Sequence, residues 1–403
     1  IYKKKSKGIK DSQMNRKYLK KYCTGCGLCG AYADVAYEMD EKGFLTPVLD
    51  SKEKIEFCEK VCPAAKESMK LQDDRIWGKY EAVYLGYAKD SKVRFHASSG
   101  GVLTALSAFL LKEKMVDGIL QVGKTKEKVY GTELYCSKTK EEVFERSGSR
   151  YCISSPLKNI KKMLEPGKKY AFIGKPCDVT ALKNYMQENK QLREQIIVTL
   201  SFFCAGLPSN LANEKLIDAL IKKKSNQCKE LNYRGNGWPG AASATDMDGN
   251  TGQIDYETSW GKILGRDVKY CCRFCTDGIG ERADISCGDA WYLQENKTPN
   301  FAEREGRNVV FARTNLGEQI LHCASKEVVL TDFKNIKELE YMQPYQKRRK
   351  ATLFWKVMAL RLFARKIPPY DRKKLYRWQT YASKNEKLKD FLGTIKRILK
   401  RAI

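Results

Sequence analysis

Fifteen cysteines in a chain of 403 residues pose the first chemical question, because their spacing is uneven. Cys23, Cys26 and Cys29 in "CTGCGLCG" have the Cys-x2-Cys-x2-Cys spacing with which a ferredoxin run begins to wrap a 4Fe-4S cube. Where such a run places its next cysteine the chain has Ala33, so the fourth ligand has to come from elsewhere. Cys62 in "FCEKVCPA" carries the Cys-Pro ending that closes such sites and completes the expected set, with Cys58, four residues earlier, as the alternative. Zinc sites usually present two separated ligand pairs, whereas three thiolates at this spacing wrap one face of a larger cube. The iron–sulfur reading is therefore preferred.

The other cysteines are scattered, apart from the Cys-x2-Cys pair of Cys272 and Cys275 in "KYCCRFCTDGIGERADISCGDAW". That pair is half of a zinc ribbon at most, since only Cys287 and Cys323 follow it. Cys177 in "FIGKPCD" and Cys204 in "FFCAGLPS" each end an apolar, strand-like run. Loops at strand ends converge in α/β folds, although a buried core thiol is the plainer account of each.

A different chemistry is offered by Ser98, Ser99, Gly100 and Gly101, which stand at an expected helix start. Free N–H groups and the helix dipole favour phosphate there, and glycine lets the backbone come close; an ordinary N-cap is the alternative. No G-x-G-x-x-G of the Rossmann kind is present, so a conventional dinucleotide fold is not supported. His96 precedes the serine pair and reads as structural, while Lys175 is placed to meet an anionic group. Neither is assigned a catalytic role, and the catalytic side chains stay unknown.

The elements that must position these residues alternate. "YEAVYLGYA" reads as a strand, "SSGGVLTALSAFLLKEKM" as a capped helix and "VDGILQVGK" as a strand. "SPLKNIKKMLEPGKKYAFIGKPCDVTALKNYM" runs helix, strand, turn, helix, and "IIVTLSFFCAGLPS" is a strand entering a loop. The expected class is mixed α+β or α/β. Four stretches are expected: a cysteine-rich 4Fe-4S module with a basic lead-in over 1–75, two mixed helix-and-strand domains over 76–160 and 161–335, which the family resemblance given below makes a flavin-binding domain and a domain with a second cluster, and a basic helical tail over 336–403.

With 42% apolar residues the chain can build a substantial core, and no run reaches the 18 apolar residues of a membrane span. The basic start "IYKKKSKGIKD" lacks a following apolar core, so a secretory signal is not expected, and the missing Met suggests a trimmed start. A cytoplasmic location follows, where thiols stay reduced and serve metals or redox chemistry rather than disulfides. Of the net charge of +27, the segment from Tyr341 onward holds +16, with 19 Lys or Arg against 3 Asp or Glu. Such a tail suits an anionic membrane surface, an acidic protein or plain solvation. Phe391, Leu392, Ile395, Ile398 and Leu399 recur at helical spacing with Lys396, Arg397, Lys400 and Arg401 between them, as in a helix lying on a membrane.

The ordered motifs "SSGGVLTAL", "GSRYCISSP", "FIGKPCD", "FFCAGLPS", "YRGNGWPG" and "CRFCTDGIGERADISCGDAW" resemble the coenzyme F420 hydrogenase/dehydrogenase beta-subunit family over roughly residues 20–335. The resemblance implies that Cys177, Cys204, Cys272 and Cys275 bind a second 4Fe-4S cluster beside an FAD. It also implies that Ser98, Ser99, Gly100, Gly101, Gly148, Arg150, Tyr151 and Asp284 line the flavin. Arg150 stands where the family often has Lys. Cys58, Cys136, Cys152, Cys228, Cys271, Cys287 and Cys323 remain as non-ligands.

The expectation is an oxidoreductase in which a ferredoxin-like carrier exchanges electrons with two 4Fe-4S clusters and FAD, and FAD exchanges hydride with a small-molecule substrate. Deazaflavin F420 and an unsaturated or sugar-type metabolite are both open as that substrate. The rivals are a noncatalytic electron-transfer or assembly subunit and a zinc-stabilised nucleic-acid binder. Aromatic residues do not interleave with the basic ones as a stacking platform requires, so nucleic acid is not expected as a partner.

Overall fold

The apolar runs assemble into one eight-stranded mixed sheet. In the computed structural model, which describes residues 14–65, 73 and 75–400, its strands are β1 (Ala82–Ala88), β2 (Gly118–Lys124), β3 (Thr132–Ser137), β4 (Tyr170–Gly174), β5 (Ile196–Phe202), β6 (Ile285–Asp289), β7 (Asn308–Ala312) and β8 (Val328–Asp332). Their spatial order is β8-β1-β7-β6-β5-β4-β2-β3. The four strands β6, β5, β4 and β2 run parallel, and the remaining pairings are antiparallel. Strands from the stretches 76–160 and 161–335 thus share one sheet.

The helices that bear on the site are α1 (Arg16–Tyr22), α2 (Leu28–Tyr32), α3 (Lys52–Val61), α4 (Val102–Lys112), α5 (Pro176–Glu188), α6 (Asn210–Ile221), α7 (Pro344–Ala351), α8 (Leu353–Leu362) and α9 (Lys384–Leu399). All five residues of β7, "NVVFA", are buried because both sheet faces are covered, and such strands read as unbroken apolar runs. On one face, Val102, Leu106 and Leu110 of α4 pack on Val198, Leu200, Ile285 and Val310. On the other, Val309 and Phe311 meet Leu353, Val357 and Leu360 of α8 and Ile398 of α9. Each fully buried leucine of this kind contributes about 1.5–3 kcal/mol. A smaller antiparallel sheet of Cys228–Asn232, Ala242–Asp246 and Thr251–Ile254 packs against α6.

The C-terminal segment therefore differs from a tail. It is helical, as its sequence suggests, but it covers a face of the main sheet. In α9, Thr394 and Ile398 are buried and Phe391 is half-buried beside Trp355, whereas Leu388, Leu392 and Leu399 stay exposed. Asp390 receives Arg348 at 2.7 Å, Lys356 at 3.5 Å and the Thr352 hydroxyl, which clamps α9 to α7 and α8. One side of the amphipathic pattern thus serves the protein's own core. Among the described residues, no helix is long and apolar enough to cross a membrane. The start of the basic lead-in, residues 66–72 and 74 of the cysteine-rich stretch, and Arg401 lie outside the described residues.

Candidate functional site

The first thiol set is built by short elements. Cys23 caps the C-terminus of α1, Cys29 lies in α2, and Cys62 caps α3, which also carries Cys58. Gly27 precedes α2 with φ of 92°, and a β-carbon there would lie 2.6 Å from the Lys158 nitrogen, so only glycine fits. The Tyr37 hydroxyl stands 3.0 Å from the Cys29 sulfur and donates to the Gly27 carbonyl at 3.0 Å, locking the loop around the thiols. Cys58 hydrogen-bonds Cys29 and, with Tyr37, pulls that thiol below its ordinary value despite burial. Burial, then Cys23, Cys26 and Cys29 beside it, push Cys62 far up. The structure thus brings Cys23, Cys26, Cys29 and Cys62 together and adds Cys58 to them.

The second set gathers from distant parts of the chain. Cys177 enters from the first turn of α5, Cys204 follows β5, and Cys272 and Cys275 come from a turn of 3-10 helix, Tyr270–Phe274, and the residue after it. Together with Cys271 they line a cavity of about 120 Å³. The Cys204 amide donates to Gly278 at 2.8 Å and the Cys275 thiol to the Asp277 carbonyl at 3.1 Å, which fixes the two loops. A hydrogen bond from Cys271 pulls Cys272 down to about 6, against burial and with help from the Leu207 amide, Arg349 and Lys269. Burial pushes Cys177, Cys204 and Cys275 up. Among the described residues, no three His, Cys, Asp or Glu side chains are gathered tightly enough to hold a single ion. The second thiol set instead frames the broader cavity, which suits the wider span of a cube of iron and sulfide.

Next to the second set lies a cleft of about 270 Å³ at the carboxyl ends of β4, β5 and β6, where ligands bind in open α/β sheets. Ser98, Ser99, Gly101, Gly148, Arg150 and Tyr151 all line it. So do Val102, Leu103 and Thr104, the first turn of α4, which is the anion-favouring end of that helix. Arg150 donates to the Ser147 carbonyl at 3.3 Å, but its buried Nε has no partner, and burial lowers its pKa. A buried guanidinium with an unused donor fits an anionic group such as a pyrophosphate. Beyond Gly148, with φ of 92°, a β-carbon would meet nothing within 4 Å, so the backbone is open at that point.

Two expected flavin residues lie elsewhere. Asp284 does not line the cleft: its carboxylate accepts from the Thr199 amide at 2.8 Å, Lys183 at 3.0 Å and the Thr314 hydroxyl at 3.1 Å, a structural role that joins β5, α5 and β6. Gly100 is pressed on the sheet, where a β-carbon would come within 2.7 Å of Asn308 and 2.8 Å of the Gly86 carbonyl. His96 bonds Asn236 at 3.1 Å and packs on Phe144, in keeping with a structural histidine.

The sequence reading missed Asp178, Asn308, Asp289 and Arg234, all of which line the cleft. Asn308 caps the Val102 amide at 3.3 Å and donates to the Ser99 hydroxyl at 3.0 Å, so a residue 200 positions away shapes the serine turn. Asp289 holds Arg234 in a bidentate pair at 3.0 and 3.1 Å and accepts from the Trp238 indole at 3.0 Å. Long-range pairs of this kind leave no local spacing to find. Lys175 is buried, 2.7 Å from Asp178, and donates to the Ser154 hydroxyl at 2.8 Å. Burial works against its ammonium, but Asp178 and Cys177 outweigh it and raise the pKa. Lys175, Cys204, Gly206 and Leu207 line both the thiol cavity and the cleft, so the two spaces share a wall.

Residues 83–161 match the family model for the N-terminal part of the coenzyme F420 hydrogenase/dehydrogenase beta subunit, and residues 167–338 match the model for its C-terminal part. The chain belongs to the coenzyme F420 hydrogenase/dehydrogenase beta-subunit family. This family is one of oxidoreductase subunits. An uncharacterized protein of Methanocaldococcus jannaschii is 26% identical over 78% of this chain and 89% of its own length. The F420-dependent formate dehydrogenase subunit beta of that organism is 24% identical over 55% of this chain and 57% of its own length. The coenzyme F420 hydrogenase subunit beta of Methanosarcina barkeri is 23% identical over 62% and 80%. Among solved structures, a chain of the F420-reducing NiFe hydrogenase complex from Methanosarcina barkeri superposes with a TM-score of 0.58 at 20% identity, covering 75% of this chain and all of that one. That likeness concerns the fold, a mixed α+β arrangement around a large mixed sheet. The beta-subunit models end at 338, so α7, α8 and α9 lie beyond them.

Proposed function

We propose that the chain is an iron–sulfur flavoprotein oxidoreductase. In this reading Cys23, Cys26, Cys29 and Cys62 hold one 4Fe-4S cluster, and Cys177, Cys204, Cys272 and Cys275 hold a second. FAD occupies the cleft, and its flavin would couple one-electron exchange with a ferredoxin-like carrier to hydride exchange with an organic substrate. The observation that carries the reading is the wall common to the thiol cavity and the cleft, made by Lys175, Cys204, Gly206 and Leu207.

The chain's own residues have distinct tasks in it. Arg150 and the first turn of α4 hold the pyrophosphate, and Gly148 leaves room for its approach. The Tyr151 ring, supported by Trp260 at 4.8 Å between centroids, bounds the cleft on one side. Lys175, kept charged by Asp178, offers a fixed cation between the two spaces. The substrate is a deazaflavin of the F420 type or an unsaturated or sugar-type metabolite. The purified chain should contain about eight irons and one FAD, with absorption in the iron–sulfur and flavin bands; zinc in their place, or a colourless protein, rejects the reading.

Relatives named as subunits of a hydrogenase and a formate dehydrogenase favour a second reading, in which the chain passes electrons within a larger complex and does not itself bind the final substrate. Reduction of F420 or another acceptor by the isolated chain separates the two.

A further inference from the structure

Four consecutive residues of α7 are basic, and three of them have carboxylate partners. Lys347 pairs with Glu340 at 3.2 Å, Arg348 with Asp390 at 2.7 Å and Lys350 with Glu281 at 2.5 Å. Arg349, between them and only 5% exposed, forms no ion pair among the described residues. Its Nη2 donates to Gln346 Oε1 at 2.9 Å, and Gln346 in turn donates to the Cys204 carbonyl at 3.2 Å. The guanidinium lines the cavity of Cys177, Cys204, Cys272 and Cys275. The backbone makes room for it: a β-carbon on Gly278 would fall 1.3 Å from Arg349 Nη2 and 2.4 Å from Gln346 Oε1.

A charge taken from water needs an opposite charge to offset its desolvation. The ionisable groups that bear on Arg349 are Cys275, Tyr345, Cys204 and Cys272, three of them thiols of this set, so its counter-charge is the anionic iron–sulfur group that the set would carry. We propose that Arg349, contributed by a segment beyond the beta-subunit models, sets the reduction potential of the cluster held by Cys177, Cys204, Cys272 and Cys275. It is a positioning and tuning residue, not a ligand. Reduction adds one electron to the cluster and makes it more negative, with no bond formed or broken and no proton moved. A fixed cation beside it favours the reduced form, so removing the cation lowers the potential. The inference rests on the second cluster of the proposed function.

The test is a dithionite titration of the cluster-loaded full chain, followed by electron paramagnetic resonance, with iron content measured in parallel. The relevant signal is the one that Cys275→Ser abolishes. Arg349→Gln should keep its iron and disfavour reduction at least about tenfold, a fall of about 59 mV for a one-electron couple. Arg349→Lys, which keeps the charge, should stay within that margin. Gly278→Ala, whose methyl takes the guanidinium's place, should shift the potential in the same direction as Arg349→Gln. An unchanged potential in iron-replete Arg349→Gln overturns the proposal. If that variant loses iron, Gly278→Ala decides, and loss of the second cluster from both reduces Arg349 to a wall residue and overturns the tuning role. If the unaltered chain lacks the Cys275-dependent signal, the assignment of the second cluster fails first and takes this inference with it.

Discussion

The thiol of Cys271 donates to the backbone carbonyl of Cys23 at 3.4 Å, across 248 positions of sequence. Cys271 also lines the cavity of the second set beside Cys272, so one residue touches both thiol sets. Beside this contact Lys269, 2% exposed, donates to the Leu45 carbonyl at 3.0 Å and lies over the Phe44 ring. The N-terminal segment is therefore docked on the sheet through the region between the two sets. The two thiol sets lie far apart in sequence, yet in space they meet at Cys271, and the second set adjoins the cleft.

Independent cluster occupancy follows from that layout. Cys26→Ser should remove about four irons and leave flavin in place, while Cys275→Ser should remove the other four and weaken flavin binding across the shared wall. Cys271→Ala and Cys58→Ala should keep all the iron, because each thiol serves a ligand through a hydrogen bond. Iron and flavin analysis of the four variants checks this, and iron loss from Cys58→Ala would make Cys58 the ligand in place of Cys62.

Arg150 is the cleaner probe of the cleft. Gly101 looks suitable from the sequence, but its φ of 77° and the 3.2 Å approach of a β-carbon to Ala88 and Val93 mean that any side chain there strains the fold. Arg150→Ala should leave the melting midpoint nearly unchanged. Loss of a charge-assisted hydrogen bond of about 1.5–3 kcal/mol should weaken FAD binding about ten- to a hundredfold. Fluorimetric titration with FAD reads the change, and undiminished affinity removes Arg150 from the site.

How much of this was legible in the sequence depended on how local each signal was. The Cys-x2-Cys-x2-Cys run, the strand-like runs around "YAFIG" and "IIVTL", and the helix after "SSGG" are set by neighbouring residues, and all appear where the spacing puts them. Asp284 and Gly100 share motifs with cleft residues but lie off the cleft: Asp284 precedes β6, at the end of the strand opposite the cleft, and Gly100 is pressed on Asn308 and the Gly86 carbonyl in the turn before α4. Asn308 and Arg349 reach the site only through tertiary packing, whereas Asp178 stands in the first turn of α5, three residues from Lys175. The basic tail misled for a related reason: net charge says nothing of Asp390 and Glu281, whose carboxylates draw Arg348 and Lys350 inward.

Acid should loosen the C-terminal segment first. Burial alone would lift the Asp390 carboxyl, but Lys356, Thr352 and Arg348 outweigh it and hold the group below the usual carboxylate range. A depressed carboxyl contributes its stability fully above the unfolded value of about 3.9, and the contribution is lost as pH falls through the lower folded value. Asp390→Ala removes it at every pH and strands Lys356, at a cost of up to about 3 kcal/mol, the low end for breaking a buried pair. Melting curves taken from roughly pH 3 to roughly pH 7, a window that spans the onset of that loss, should converge for the two proteins at the acid end. Parallel curves throughout would show that the clamp carries no linkage.

Whether the exposed side of α9 meets a membrane calls for a test that leaves the fold intact. Ending the chain near Ser383 deletes Ile398 from the core and Asp390 from its clamp, so any lost binding would report unfolding. Leu388, Leu392 and Leu399 are 57%, 52% and 67% exposed and can be changed with little loss of packing. With Phe391, Ile395 and Ile398 turned toward the protein, the outward apolar strip is narrower than that of an interfacial helix, whose whole apolar face enters the headgroup boundary. Basic side chains contribute about 1 kcal/mol each near an anionic bilayer, and salt weakens that attraction over a Debye length of about 8 Å at physiological ionic strength. The expected outcome is weak pelleting with anionic vesicles at low salt, lost at physiological salt and equal in the intact chain and in a Leu388→Ser, Leu392→Ser, Leu399→Ser variant. Salt-resistant pelleting that the triple variant abolishes would instead establish insertion of α9.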